Sequence, residues 1–99
     1  MKKKKNTEIF LQVGNGVSVR TRDIVGIFDL DLPSPITNDF LRTAQKERAV
    51  VTACANVPRS FVYTSDELSY SVYLSGTSAS TLAKRRTRLQ EINNDDGEK

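Results

Sequence analysis

The stretch LPSPITNDFLRTA, residues 32–44, decides the fold because it separates β-patterned runs from the first helical pattern. Ser34 is a favourable helix N-cap, and Pro35 falls at the first helical position, where its missing N–H costs nothing. The helix should end near Arg48. Its predicted apolar stripe, at helical spacing, consists of Ile36, Phe40, Leu41 and Ala44.

Three short β-patterned runs precede this helix, at residues 8–13, 17–22 and 24–28. Gly14-Asn15-Gly16 is a strong turn signal between the first two runs, since Asn and Gly tolerate positive φ. In the second run, valines alternate with Ser18, Arg20 and Arg22, which predicts a half-buried strand with a basic outer face. We expect the three runs to form a three-stranded meander.

Three further runs typical of strands follow the helix, at residues 49–55, 60–64 and 68–74. A second helix is predicted over residues 79–89, capped by Ser78 or Ser80. On it Leu82, Leu89 and the stem of Arg86 share one side, and a basic group occupies another: Lys84, Arg85 and Arg88. The sequence therefore predicts an α+β fold of small antiparallel sheets, with one helix between strands 3 and 4 and a short C-terminal helix.

The composition narrows the possible chemistry. The 99 residues include no histidine and one cysteine, which excludes a histidine base, a Ser-His-Asp or Cys-His nucleophile and a Cys/His zinc site. We expect no enzyme activity and no cofactor. Asp29 and Asp31 could in principle bind a cation, although no third ligand accompanies them. Cys54 has no partner for a disulfide within the chain, which favours a reducing cytoplasm.

Charge divides the chain into three parts. Residues 1–7 carry four consecutive lysines and residues 90–99 are mainly acidic, so both read as disordered tails around a single domain at 8–89. The formal net charge is +3. No apolar run is long enough to span a membrane, and we expect no membrane partner.

Arginines are the most informative polar residues. Arg20 and Arg22 share a strand face, Arg59 lies in the loop after Pro58, and the predicted second helix concentrates further positive charge. Arginines held on rigid elements suit phosphate oxygens. The alternative is that they form solvated faces and structural ion pairs. Because aromatic residues do not interleave with the basic ones, a duplex backbone is favoured over single strands.

Several stretches resemble a known bacterial family. VSVRTRDIVGIFD (17–29), SPI (34–36), VPRSFVYT (57–64) and SASTLAKR (78–85) are similar to the RemA/RemB extracellular matrix regulators, nearer to the RemB branch. The resemblance covers residues 8–88, and TRDIVGIFD (21–29) is its specific part.

The resemblance implies a cytoplasmic, DNA-binding transcriptional regulator of biofilm-matrix genes that assembles into a homo-oligomeric ring, with a RemA-like paralogue as a further candidate partner. Arg22 matches a DNA-contacting arginine of the family, Arg20 shares its face, and Arg59 is the one arginine that the loop at 55–59 keeps. From charge alone, and not from the resemblance, Lys84, Arg85 and Arg88 are candidates for additional phosphate contacts.

Two features bear on how the subunits assemble and whether they bind DNA. Tyr63, Tyr70 and Tyr73 are expected on edge strands that subunit pairing would cover. The loss of loop arginines leaves an alternative function open: an oligomeric protein-interaction subunit that has lost most direct DNA binding.

Overall fold

The computed structural model describes residues 9–32 and 34–97. Its elements, in chain order, are β1 (Phe10–Gly14), β2 (Val17–Arg20), a 3-10 turn (Thr21–Asp23), β3 (Ile24–Asp29), α1 (Pro35–Lys46), β4 (Val50–Ala53), β5 (Ser60–Ser65), β6 (Tyr70–Ser75) and α2 (Ala79–Gly97). The α+β class is confirmed, with one helix between the third and fourth strands and another at the C-terminal end.

The strands form two sheets. β1 and β2 make an antiparallel hairpin, and the other four strands form a sheet in the order β3-β5-β6-β4. β3, β5 and β6 are antiparallel neighbours, whereas β4 runs parallel to β6, so the larger sheet is mixed. The expected three-stranded meander is wrong. The 3-10 turn at Thr21–Asp23 redirects the chain, and β3 pairs with β5 from a distant part of the sequence.

Helix α1 begins as the sequence predicts. The Ser34 hydroxyl accepts a hydrogen bond from the Thr37 backbone N–H at 3.1 Å, and Pro35 follows in the first turn. Ala44 is fully buried, and Phe40 and Leu41 pack against the same core. Ile36 does not belong to the buried stripe, since it is 81% exposed. The packing of α1 on the sheet begins with Phe40, so the first turn stays outside it.

The four-stranded sheet separates two cores because its side chains alternate between its faces. One face packs against the hairpin and α2, around Leu11, Val62 and Leu82. The other packs against α1, around Phe61 and Val72. The hairpin approaches the sheet closely: the Ser75 hydroxyl donates to the Val13 carbonyl at 2.6 Å. The fold therefore has three layers, with the larger sheet in the middle.

The tyrosines do not lie on edge strands. Tyr63 and Tyr70 belong to β5 and β6, the two central strands of the larger sheet, and Tyr73 is also on β6. Tyr63 makes edge-on ring contacts with Tyr70 and with Phe40 of α1. The expectation that subunit pairing must cover these tyrosines is therefore wrong. The free edges belong to β3 and β4, where the exposed apolar residues are Val25, Phe28 and Val51.

Helix α2 begins where predicted but is longer. The Ser78 hydroxyl accepts a hydrogen bond from the Thr81 backbone N–H at 3.2 Å, which identifies Ser78 as the cap. The helix continues to Gly97, past the expected end near residue 89, and covers most of the stretch read as an acidic tail. The lysine-rich stretch at residues 1–7 lies outside the described residues, as do residues 98–99. Within the described ranges, no helix combines the length and apolarity needed to cross a membrane.

Candidate nucleic-acid interface

The β1–β2 hairpin has one buried face and one open face. Asn15 and Gly16 turn the chain with φ of 50° and 75°, which suits a tight hairpin. Leu11, Val13 and Val19 are buried against the sheet. Their neighbours therefore point outward, in the cross-strand pairs Phe10 with Arg20 and Gln12 with Ser18. We call these four residues the hairpin outer face.

Arg20 and Arg22 lie at the end of this hairpin. The Arg20 Nε donates to Asp23 Oδ2 at 2.9 Å, an ion pair across the 3-10 turn. Arg22 is exposed in the same turn, beyond the end of β2, so the expectation that it shares a strand face with Arg20 is wrong. Backbone N–H groups of Leu68 and Ser69 lower the pKa of Asp66, and the nearby charge of Arg20 lowers it further. Arg20 is thus held in place by Asp23, and the more exposed Arg22 lies beside it.

Helix α2 places a second basic group beside the hairpin. Lys84, Arg85 and Arg88 are exposed, whereas Leu82 is fully buried and Leu89 packs on the core, so the two predicted sides of this helix are confirmed. Arg85 Nη1 donates to the Gln12 carbonyl at 3.2 Å. This bond joins α2 to the strand that carries the hairpin outer face. We call the hairpin outer face, together with Arg22, Lys84, Arg85 and Arg88, the hairpin–α2 surface.

Arg59 lies elsewhere. Arg22 lies at one end of the β3–β5 pair, where Ile24 pairs with Thr64. Arg59 lies at the opposite end, where Ser60 pairs with Asp29. The length of the paired strands separates the two ends by roughly 15–20 Å. Arg59 Nη2 is 3.5 Å from Asp31 Oδ2. Arg22 and Arg59 therefore do not form one contact patch within a subunit.

The two aspartates that could have bound a cation are engaged in other contacts. Asp29 Oδ1 accepts a hydrogen bond from the Asp31 backbone N–H at 2.7 Å, and Asp31 faces Arg59. Among the residues that the structure describes, no three Cys, Asp or Glu side chains cluster as metal ligands. The geometry gives the cation interpretation no support.

A family model described as RemA-like, extracellular matrix regulatory protein A-like, matches residues 10–85. The chain belongs to the RemA-like family. It is also 38% identical over 85 residues to the extracellular matrix regulatory protein B of Bacillus subtilis (strain 168), an alignment that covers 85% of this chain and 98% of that protein. The resemblance to the RemB branch is thereby confirmed.

The RemA-like match runs from the first residue of the hairpin to the first turns of α2. Arg20, Arg22, Arg59 and Arg85 fall inside it, and Arg88 falls beyond it. The hairpin–α2 surface is thus built almost entirely from the part of the chain that defines the family.

Sequence reasoning missed two members of this surface, Phe10 and Gln12. The alternation along β1 could have identified them. Because Leu11 and Val13 are buried, Phe10 and Gln12 must point outward. Phe10 is 51% exposed and lies cross-strand from Arg20. This one aromatic–basic neighbourhood is not visible in the order of the chain, because strand pairing joins residues that are ten positions apart.

Proposed function

We propose that this member of the RemA-like family is a DNA-binding transcriptional regulator of matrix genes, and that the hairpin–α2 surface is its contact with duplex phosphates. The observation that carries the proposal is the hydrogen bond from Arg85 to the Gln12 carbonyl, which brings the basic side of α2 next to the hairpin that bears Arg20 and Arg22. A regulator of this kind works where the chromosome lies, in the cytoplasm.

Electrostatics favours this surface over the rest of the described chain. Duplex DNA carries one negative charge per about 1.7 Å of axis, so a compact group of cations releases several counterions at once. Lys84, Arg85 and Arg88 project from successive turns of α2 and stay exposed. Arg22 adds a further guanidinium at the hairpin end. The long side chains of this group can follow a curved phosphate backbone.

Assembly into a homo-oligomer would multiply these contacts. The β3 edge, the segment that follows it and the start of α1 expose four large apolar residues, Val25, Phe28, Leu32 and Ile36. An apolar edge of this kind favours burial against another subunit. A head-to-tail interface closes into a ring when its rotation permits, and repeated phosphate contacts around that ring raise the affinity for a bent duplex.

Arg59 has a separate role in this proposal. It lies at the opposite end of the β3–β5 pair and is 54% exposed beyond its contact with Asp31. Arg59 can reach the same duplex only from another subunit or after the duplex bends. We therefore expect its substitution to weaken binding less than substitution of Arg22.

The test is a titration of the full chain with a fluorescent duplex at several salt concentrations. Arg22→Ala should weaken binding and lower the slope of log affinity against log salt by about one. Arg42→Ala is the matched control, because Arg42 is an exposed arginine on α1, on the other side of the sheet. Equal affinities and slopes for the wild type and Arg22→Ala would contradict the assignment of this surface.

A second function is favoured by the same exposed apolar residues. The chain could act as an interaction subunit that binds itself or a RemA-like paralogue with little direct contact to DNA. Its arginines at both sheet ends are partly offset by Asp23 and Asp31. In that case duplex binding would be weak and would vanish at modest salt, while subunit association would be unaffected by Arg22→Ala.

A further inference from the structure

The β1–β2 hairpin forms a separate two-stranded sheet whose inner face is buried and whose outer face is open to solvent among the described residues. We infer that this hairpin outer face enters the major groove of duplex DNA and reads base edges. This inference rests on the proposed function and adds sequence discrimination to a contact otherwise made with phosphates.

The size of the hairpin fits that groove. Adjacent strands lie about 4.8 Å apart, so a two-stranded ribbon is much narrower than a four-stranded sheet. The major groove is about 12 Å wide and admits such a ribbon, whereas the minor groove is about 6 Å wide. The cross-strand pairs place three exposed side chains, Phe10, Gln12 and Ser18, on the surface that would face the base pairs. Arg20 lies beside them and pairs with Asp23.

The residue types match what the major groove displays. A glutamine amide can pair with adenine at N6 and N7, a serine hydroxyl can bond to several bases, and an aromatic ring packs on the thymine methyl group. Gln12 and Ser18 are exposed, and Phe10 is half exposed beside them. The Gln12 backbone is fixed by Arg85, so its side chain projects from an anchored position. This combination favours A·T-rich sites.

Basic residues flank the hairpin on two sides. Arg22 lies just beyond the end of β2, and the exposed cations of α2 lie beside β1. A two-stranded ribbon in a DNA groove needs basic residues on both sides. Phosphates line both walls of the groove, and contacts with them position the ribbon along the duplex. Charge complementarity therefore identifies duplex DNA as the occupant of this face.

The experiment removes major-groove groups from the DNA while leaving its backbone intact. An A·T-rich duplex is compared with the same duplex containing 7-deazaadenine, which lacks the N7 acceptor. The wild type should bind the modified duplex about tenfold more weakly. Gln12→Ala should bind both duplexes alike, with an unchanged salt slope. Gln45→Ala is the matched control, because Gln45 is an exposed glutamine on α1, and it should behave as the wild type.

A second arm tests the aromatic contact. Replacement of thymine by uracil removes the methyl group, which should weaken binding by the wild type and leave Phe10→Ala indifferent to the change. Val57→Ala is the control for loss of an exposed apolar side chain, because Val57 is 80% exposed and lies on neither the hairpin–α2 surface nor the proposed subunit contact. Thermal unfolding of each variant, all at exposed positions, confirms that the fold is retained.

The outcomes separate this inference from the proposed function. If the wild type binds both duplexes equally and Gln12→Ala changes nothing, base reading is overturned, even while Arg22→Ala still weakens binding. If the wild type binds no duplex at the salt concentrations used, the proposed function fails, and the inference fails with it.

Discussion

The two layers that cover the four-stranded sheet differ in the surfaces they present. The layer of hairpin and α2 exposes a run of cations, from Arg20 and Arg22 to the basic side of α2. The α1 layer exposes charges of both signs, including the ion pair of Arg42 with Asp39 at 3.0 Å, and an apolar start at Ile36. The cores also differ, since the one under the hairpin and α2 is mainly aliphatic and the one under α1 contains aromatic rings.

Because of this difference in exposed side chains, we propose DNA contact and subunit contact at two different surfaces of the fold. A surface with one sign of charge attracts a polyanion, whereas apolar side chains at a free sheet edge favour another protein surface. The hairpin–α2 surface is rich in cations, although Asp23 and the exposed Glu91 lie in the same layer, and the β3 edge and the segment before α1 expose apolar side chains. The proposed DNA contact and the proposed subunit contact therefore use different residues.

The largest expected effect is on the free energy of unfolding, at Leu82, which packs α2 against the hairpin and the sheet. Leu82 is fully buried among residues of the hairpin and the sheet. Leu82→Ala should lower the free energy of unfolding by about 3 kcal/mol, because it leaves a cavity where three elements meet. Urea denaturation measures this loss. Leu68→Ala, at an exposed leucine in the β5–β6 turn, should change it by less than about 0.5 kcal/mol.

The next effect tests the charge difference between the layers. Joint substitution of Lys84, Arg85 and Arg88 by glutamine should reduce the salt slope of duplex binding by about two to three, since each lost phosphate contact removes about one. The charge-matched triple substitution at and just after α1, of Arg42, Lys46 and Arg48 by glutamine, should leave the slope unchanged. Equal slopes in the two variants would mean that the layers do not differ in DNA contact.

A smaller effect is expected at the far end of the sheet. Asp31→Asn removes the carboxylate that faces Arg59 at 3.5 Å. If Arg59 reaches the duplex from a neighbouring subunit, this change should raise duplex affinity by about twofold, because an exposed ion pair is weak. Asp39→Asn, at the exposed pair with Arg42, is the control. No change from Asp31→Asn would leave Arg59 with a purely structural role.

The smallest effect concerns pH. The pKa of Asp66 lies below its ordinary value of 3.8, mainly because the Leu68 and Ser69 backbone N–H groups donate to its carboxylate. A lowered pKa stabilises the folded state above that ordinary value, and the contribution is lost as pH falls through the folded-state pKa. Asp66→Asn should therefore lower the Tm slightly near neutral pH. The difference should disappear in strong acid, and its persistence there would contradict this cause.

Local features were readable from the sequence, and long-range pairings were not. Ser34 and Pro35 fix the start of α1 through contacts within a few residues, so their role could be predicted. The pairing of β3 with β5, rather than with β2, depends on packing between distant segments, and the chain pattern at residues 17–28 is the same for either arrangement. The tyrosines were misplaced for the same reason, since strand order decides which strand is an edge.

The basic residues of the candidate site were predictable, but its members Phe10 and Gln12 and the grouping of the whole set were not. Arg20, Arg22 and the α2 cations could be named from charge and spacing alone. Their proximity depends on a contact between Arg85 and Gln12, which are 73 positions apart in the chain. The separation of Arg59 from Arg22 likewise follows from strand register, which sequence alternation does not specify.

The most direct test of the account is hydrogen exchange of the full chain with and without a duplex, read by mass spectrometry. The account predicts slower exchange in the hairpin, the 3-10 turn and the first half of α2 when DNA is bound, with α1 and β4 unchanged at a fixed oligomeric state. Protection confined to α1 and β4, with the hairpin unchanged, would show that DNA binds the other layer and would contradict the account.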